Sequence, residues 1–561
     1  MIGDIILPPG LALILAGLLL PLLKGQARNT LLIAAPLVAL FLVWQLPNGN
    51  HLTISYLNFE LVLVRADELS RLFATVFTVM AAAGGLYAMN QTKVSELAAA
   101  FVYAGSAISV VFAGDLISLF IFWEIMAIAS SIIVWSGGTS ARAAGQRYVA
   151  VHFMGGVLLM AGIAGEYMQN GSIAFDMMEA NSWPRWLILA GFLINAGAPP
   201  FSAWLPDAYP ASSWSGAVFL SAFTTKTAVY VLIRTFPGAE ALIYIGLYMV
   251  FYGIIFAILE NDIRRVFSYS IISQVGFMVI AIGIGSDMAL NGAAAHAFVH
   301  IIYKALLLMS IGAVLYQTGK TKCTELGGLF RTMPITMICG VIGALSISAF
   351  PFTSGYITKS LISQSAAEAH LGYVWFGLTA ASASAFLYIG IKFPWFVFFS
   401  KDSGLRPAEP PKSMRYSMYF LSFVCIGLGV FPDLLYSLLP YPIDYSPYKL
   451  GKILSQIQLL LFAGLAFFLL LPLLKNTFTI TLDFDWFYRG LGNILRKEFD
   501  SATGAIWSNL SRACASIAKM ANVAVYKLHG PGGIFAETWP TGLMALWTTV
   551  LLGLYLAVYF L

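Results

Sequence analysis

Residues 293–315 read AAAHAFVHIIYKALLLMSIGAVL, an apolar run broken only by polar or ionisable groups that include His296, His300 and Lys304, each four residues from the next. A run so long and apolar predicts a helix that crosses a membrane. On a helix a step of four turns the side chain by only about 40°, so the three groups share one stripe roughly 12 Å long. Two imidazoles, which titrate near neutrality, beside an ammonium whose charge alters their proton affinity, make the shape of a proton ladder. A polar seam between helices would explain one intramembrane histidine. Three ionisable residues in register favour transport.

The rest of the chain agrees with that stretch. Its 561 residues are 59% hydrophobic and 10% charged, with a mean hydropathy of +0.82, too apolar for soluble domains. Sixteen apolar windows recur from one end to the other, each able to cross a hydrocarbon core of about 30 Å. Unpaired backbone groups are excluded from lipid, so windows of this length predict helices and not barrel strands: an all-α polytopic membrane protein. The net charge of +5 comes from loops, with no basic cluster interleaved with aromatics that would suggest nucleic acid. Lys24 and Arg28, Lys93, Arg142 and Arg147, Arg264 and Arg265, Lys320, Lys322 and Arg331, and Lys401 to Arg415 fall in alternate loops. The positive-inside rule then places both termini outside a cell's inner (plasma) membrane. Cys323, Cys339, Cys425 and Cys514 are scattered without CxxC or His-Cys pairing, which argues against a zinc or iron-sulfur site. No glycine-rich phosphate loop follows a strand, so neither metal nor cofactor is expected. The first apolar segment lacks a basic leader and reads as a retained helix.

Two windows break alike. Ala198-Pro199-Pro200-Phe201-Ser202 interrupts the seventh and Ala349-Phe350-Pro351-Phe352-Thr353 the twelfth, both reading A-x-P-F-[S/T]. Breaks five helices apart suggest two five-helix repeats, and an odd number of spans forces the second to be inverted. The expected organisation is helices 1–3 over 1–95, a first repeat over 96–238, a second over 239–400, helices 14 and 15 over 401–480, and an extension over 481–561. The Pro-rich stretch Lys401 to Lys412 reads as the main internal linker. In the extension, Trp486, Phe487, Tyr488, Leu491, Ile494 and Leu495 give a helical apolar face before Arg496, Lys497 and Glu498, so an amphipathic helix is expected before His529-Gly530-Pro531-Gly532-Gly533 and a final membrane anchor.

Other charges lie deep in apolar windows. Glu124 stands alone in Leu116 to Val134, where a carboxylate costs roughly 2.5–3.5 kcal/mol. Lys226 is as deep in Val218 to Ile233, and Lys359 follows the second break. Mutual neutralisation of Glu124 and Lys226 would relieve both, so they are expected within salt-bridge or single-water reach.

These residues carry a resemblance. The run Asp115 to Glu124 (DLISLFIFWE), Trp204-Leu205-Pro206-Asp207-Ala208, Asp262-Ile263-Arg264-Arg265 with Tyr269-Ser270, His296-x3-His300-x3-Lys304, and Ser354-Gly355-Tyr356 before Lys359 together resemble the antiporter-like membrane subunits of Mrp-type cation/proton antiporters, nearest the D-type subunit, and of respiratory complex I. The resemblance covers residues 67 to 400; the amphipathic extension is similar to that of the largest complex I antiporter-like subunit. It implies a proton path through Glu124, Lys226, His296, His300, Lys304 and Lys359, and other membrane subunits as partners. It also exposes a departure. Where the family has a lysine nine residues before the Trp of WLPDA, this chain has Asn195, and flanking histidines are replaced by Ser202 and Tyr209.

Three functions follow from these readings. The first is an ion-translocating subunit moving protons, alone or in exchange for Na⁺, in an antiporter or an NADH:quinone oxidoreductase-type translocase. The second, favoured by Asn195, is a structural or coupling subunit of a redox or inorganic-carbon uptake complex with a partly vestigial path. The third, a carrier of an organic ligand, calls for more uncharged polar lining than the windows show.

Overall fold

The computed structural model describes residues 7–472, 483, 485–531, 533 and 540–560. Thirteen helices among the described residues are long and apolar enough to cross a membrane. The three remaining apolar windows hold shorter helices: Pro9–Leu19 with the 3-10 turn Leu20–Leu22, Trp183–Ala196, and Pro334–Ile347, which is followed by Ser354–Glu368. Helix Asp287–Thr318 and the pair Gly216–Ala222 and Thr224–Thr235 are buried along nearly all their length. Helices apolar on every side belong in the middle of a bundle. The ladder of the sequence therefore lies at the core.

Two places begin a helix by the same backbone device. Asp115 caps Leu116–Trp135, its carboxylate accepting from Ser118 N at 2.7 Å, and Asp262 caps Ile263–Ile284 by accepting from Arg264 N at 2.8 Å. Each aspartate then forms an isolated antiparallel bridge with a residue beyond the next helix, Asp115 with Ala174 and Asp262 with Lys322. The bonds match: Leu116 N to Ile173 O and Phe175 N to Gly114 O in one, Ile263 N to Thr321 O and Cys323 N to Asn261 O in the other.

The two interrupted helices also end alike. After Trp183–Ala196, Gly197 N donates to Ile194 O and Ala198 N to Leu193 O; after Pro334–Ile347, Ala349 N donates to Ser346 O and Phe350 N to Leu345 O. Both are the paired bonds of a helix ending on a left-handed residue, Gly197 with φ +81° and Ala349 with φ +55°. The residues beyond hold the breaks, Pro199 and Pro200 joined by a cis bond in the first, Pro351 in the second. The A-x-P-F letters are thus one residue out of step with the backbone: Ala349 is the counterpart of Gly197, not of Ala198.

Gly49–Tyr56 and Phe59–Ala66 form an antiparallel hairpin that the reading of three N-terminal helices did not foresee. It is tied down where Val62 N donates to Asp115 Oδ2 at 2.7 Å and Arg65 Nη1 to Asp176 Oδ1 at 2.9 Å. The expected linker is a fastened strap. Glu409 accepts from Ile335 N at 2.6 Å and Thr336 Oγ1 at 2.7 Å, an anion on the N-terminus of Pro334–Ile347, where the helix dipole favours it.

The C-terminal unit, from Asp485, consists of a helix Asp485–His529 and a helix Thr541–Phe560. The first has 45 residues. The side chains of Phe487, Tyr488, Leu491, Ile494, Leu495, Arg496, Lys497 and Glu498, on which its amphipathic reading rests, lie outside the described residues, as does Gly532.

Candidate functional site

Helix Asp287–Thr318 presents His296, His300 and Lys304 fully buried. Four-residue spacing brings the imidazoles together, their ring centroids 6.1 Å apart. His296 Nδ1 is 2.8 Å from Thr358 Oγ1, on the half-helix that carries Lys359, and its Nε2 is 3.4 Å from Tyr303 Oη. Tyr303 in turn donates to Gln274 Oε1 at 3.4 Å. The ring of His300 packs edge-on against Tyr303, 5.2 Å between centroids, and neither of its nitrogens has a hydrogen-bond partner. Lys304 Nζ donates to Ser270 Oγ and stands 5.1 Å from the centre of the Phe267 ring.

Lys226 and Lys359 are held in another way. Lys226 follows the kink at Phe223, and its ammonium turns back to Ser221 O at 2.7 Å and Thr225 Oγ1 at 3.0 Å. Lys359 follows the second break and donates to Ile347 O at 2.7 Å. In each case a cation meets the carbonyl end of the helix segment before a discontinuity, where the helix dipole is negative. The Phe277 ring lies between the two parts of the path, 4.9 Å from Lys359 Nζ and 6.1 Å from the His296 ring. Lys226, Lys304 and Lys359 act electrostatically on His300, and Lys226 and Lys359 on Lys304. The structure brings five of the six ionisable path residues together.

Glu124 is the sixth, and it is not joined to Lys226. No ion pair links them among the described residues; Glu124 Oε1 has no hydrogen-bond partner. The correction is to the direct salt bridge alone. Depth can be read from position in an apolar window, whereas the kink at Phe223 turns Lys226 onto its own helix and toward the histidines. Glu124 instead lies against Gly156, its carboxylate in the space a Cβ would take. Asn195 is buried nearby, its Oδ1 likewise unpartnered, beside Gly155 of the same helix.

A cavity of about 530 Å³ is lined by Lys359 together with Ser360, Ser363, Gln364, Ser382, Lys452 and Gln456. The helix Leu450–Leu469 thus supplies part of its wall. Lys452 Nζ donates to Gln364 Oε1 at 2.9 Å and to Tyr445 Oη at 3.2 Å. Sequence reasoning also missed Lys392, whose ammonium donates to the carbonyls of Ala257, Ile258 and Glu260 at 2.7–3.1 Å and closes the end of helix Ala241–Leu259. All three of its protons find acceptors, so its work is structural. His152 was missed too; the only signal was one histidine in an otherwise apolar window. Of the resembling motifs, Trp204 donates its indole N–H to Ile194 O at 3.0 Å, and Arg264 gathers the carbonyls of Tyr209, Pro210, Ser212 and Ser213 at 2.8–3.2 Å. Both hold the chain around the first break.

The chain is a many-helix membrane protein whose core holds buried lysines and histidines. Residues 113–387 match the family described as NADH:quinone oxidoreductase/Mrp antiporter, transmembrane, and belong to it. The chain is 30% identical over 412 residues to the probable A/B-type subunit of the K(+)/H(+) antiporter of Rhizobium meliloti, covering 67% of this chain and 40% of that protein. It is 31% identical over 318 residues to the D-type subunit of the Na(+)/H(+) antiporter of Alkalihalophilus pseudofirmus, covering 51% of this chain and 64% of that one. The chain thus spans less than two thirds of the length of either relative. Among solved structures, it is similar in fold to a chain of the Mrp complex from Dietzia sp. (TM-score 0.67, 19% identity, 80% of this chain and 98% of that one). It is similar likewise to a chain of the membrane-bound sulfane sulfur reductase, an archaeal respiratory membrane complex (TM-score 0.70, 23% identity, 98% and 99%).

Proposed function

We propose that the chain is a proton-translocating subunit of a multisubunit membrane complex, exchanging H⁺ for Na⁺ or K⁺ or coupling proton movement to a respiratory enzyme. The observation that carries this reading is the buried set Lys226, His296, His300, Lys304 and Lys359, the last of which lines a cavity rich in polar side chains. Removing a proton from one lysine removes a like charge from its neighbours and raises their affinity, so a protonation state travels sideways along the file. Water bridges the gaps that side chains do not close. The names of the relatives, K(+)/H(+) and Na(+)/H(+) antiporter subunits, support the choice of ions.

The same reading takes all sixteen helices as crossings, with both termini outside, and groups them as two inverted five-helix units. The matched bridges at Asp115 and Asp262 and the matched helix ends at Gly197 and Ala349 support that grouping. The cavity beside Lys359 then opens outward, by the positive-inside rule. The test is pH-driven Na⁺/H⁺ and K⁺/H⁺ exchange in membrane vesicles holding a Lys304→Ala, Lys359→Ala double variant whose assembly is confirmed on native gels. Exchange is expected to be lost, while His370→Ala, in a loop, leaves it intact. Full exchange in the double variant would move the assignment to a structural or coupling role, which Asn195 and the lack of an ion pair for Glu124 favour.

A further inference from the structure

His152, on helix Arg142–Asn170, is buried and takes no part in the file above. Its ring lies between Tyr148, 4.1 Å away between centroids, and Trp204, 4.7 Å away. Neither ring nitrogen makes a close hydrogen bond, and the Asn195 side chain is its polar neighbour. One turn along the same helix, Gly155 and Gly156 clear a face for two more polar groups. Asn195 Oδ1 comes within 3.7 Å of where a Cβ on Gly155 would be, and the Glu124 carboxylate fills the place of a Cβ on Gly156. An acid, an amide and an imidazole thus meet on two turns of one helix, with Glu124 Oε1, Asn195 Oδ1 and both His152 nitrogens unpartnered. Leaving such buried atoms unpaired is costly. A purely structural cluster would have paired them.

Hydroxyl groups lead from this cluster toward Lys226. Tyr148 Oη donates to Ser130 Oγ at 2.9 Å and also approaches Thr224. Tyr103 Oη is 2.6 Å from Thr224 Oγ1, and the adjacent Thr225 accepts from Lys226 Nζ.

We propose that His152 is the proton-carrying base of the first half of the molecule. A proton leaving the Glu124 carboxyl is accepted by one ring nitrogen, the other ring nitrogen gives up its own, and that proton passes along the Tyr148 and Thr224 hydroxyls toward Lys226. The inference rests on the proton-translocating reading above. The groups against His152 are Tyr148 from its own helix, Asn195 from Trp183–Ala196, and Trp204 beyond the break, with Glu124 one turn along at Gly156, Ser130 behind Tyr148 and Tyr209 behind Trp204; the Arg147–Asp207 ion pair stands at the end of its own helix.

The deciding variant is His152→Phe, which keeps a stacked ring between Tyr148 and Trp204 and removes both nitrogens. In the assembled complex in vesicles, exchange is expected to fall at least about tenfold. A His152→Gln, Asn195→Lys double variant is expected to regain exchange with a displaced pH profile, because a titrating group returns at the neighbouring position. Undiminished exchange in assembled His152→Phe, or an assembled double variant without exchange, would overturn the proposal. The Lys304→Ala, Lys359→Ala variant separates the two claims: if it too exchanges fully, the translocation reading fails, and if it alone is dead, only the role of His152 fails.

Discussion

The two broken helices share a backbone and differ in charge. Gly197 and Ala349 end their helices with the same pair of hydrogen bonds, and two residues upstream stand Asn195 in one and Ile347 in the other. At Ile347 the carbonyl receives the Lys359 ammonium. Around Asn195 there is no lysine; an indole, that of Trp204, reaches the helix end at Ile194 O. The architecture of a break therefore does not depend on a cation being present. What the lysine adds is an ammonium in the wall of a cavity, and in the first half the groups proposed for that chemistry are Glu124 and His152.

If the second break carries the charge, Lys359→Ala should lower exchange about a hundredfold, whereas Asn195→Ala should lower it less than about threefold, within the range of a single modest polar contact. Equal losses in assembled vesicles would erase the distinction between the halves.

A second contrast lies in packing. A Cβ on Gly355 would collide with the backbone carbonyl of Ser346, which cannot move without opening the break, so Gly355→Ala should cost about 3 kcal/mol. A Cβ on Gly156 meets only the end of the Glu124 side chain, so Gly156→Ala should cost about 1 kcal/mol or less. Thermal melting of the detergent-purified complex measures both.

Asn195→Lys would give the first break the charge it lacks. With an ammonium beside Glu124 and His152, the pH profile of exchange should move by about one unit. An unmoved profile in an assembled variant would put the first break outside the path.

The smallest effect has opposite signs at the two helix ends. Gly197→Ala should destabilise by about 1 kcal/mol, since an L side chain resists the left-handed conformation, and Ala349→Gly should stabilise by up to about 1 kcal/mol for the same reason. Melting temperatures that move the same way would show that the two ends are not equivalent.

Much of this was legible in the chain. Every apolar window holds a helix, because length and hydropathy are local properties, and Asp115 and Asp262 stand where N-caps should. The hairpin at Gly49–Ala66 was hidden among helical windows, although HLTISY alternates polar and apolar residues as a strand does. The two breaks were readable from the A-x-P-F letters, but their register was not, since only φ shows which residue turns left-handed. The burial of Lys226 was readable, whereas Glu124 is only half-buried, and the side Lys226 faces was not readable, because a kink at Phe223 leaves no mark in composition. His152 looked like one polar residue in an apolar window until Asn195 arrived beside it, and Glu124 one turn along at Gly156, from two other helices.

Lys226 and Lys359 each lie just past a discontinuity and reach back to a carbonyl before it, Ser221 O and Ile347 O. Each is a brace across an elbow. Charge-assisted hydrogen bonds are roughly twice as strong as neutral ones, so a brace that gives up its proton slackens and one that regains it tightens. On the proposed proton path, proton occupancy and the stiffness of the elbow would then change together, and a probe of either, spectroscopic or mechanical, would report on both.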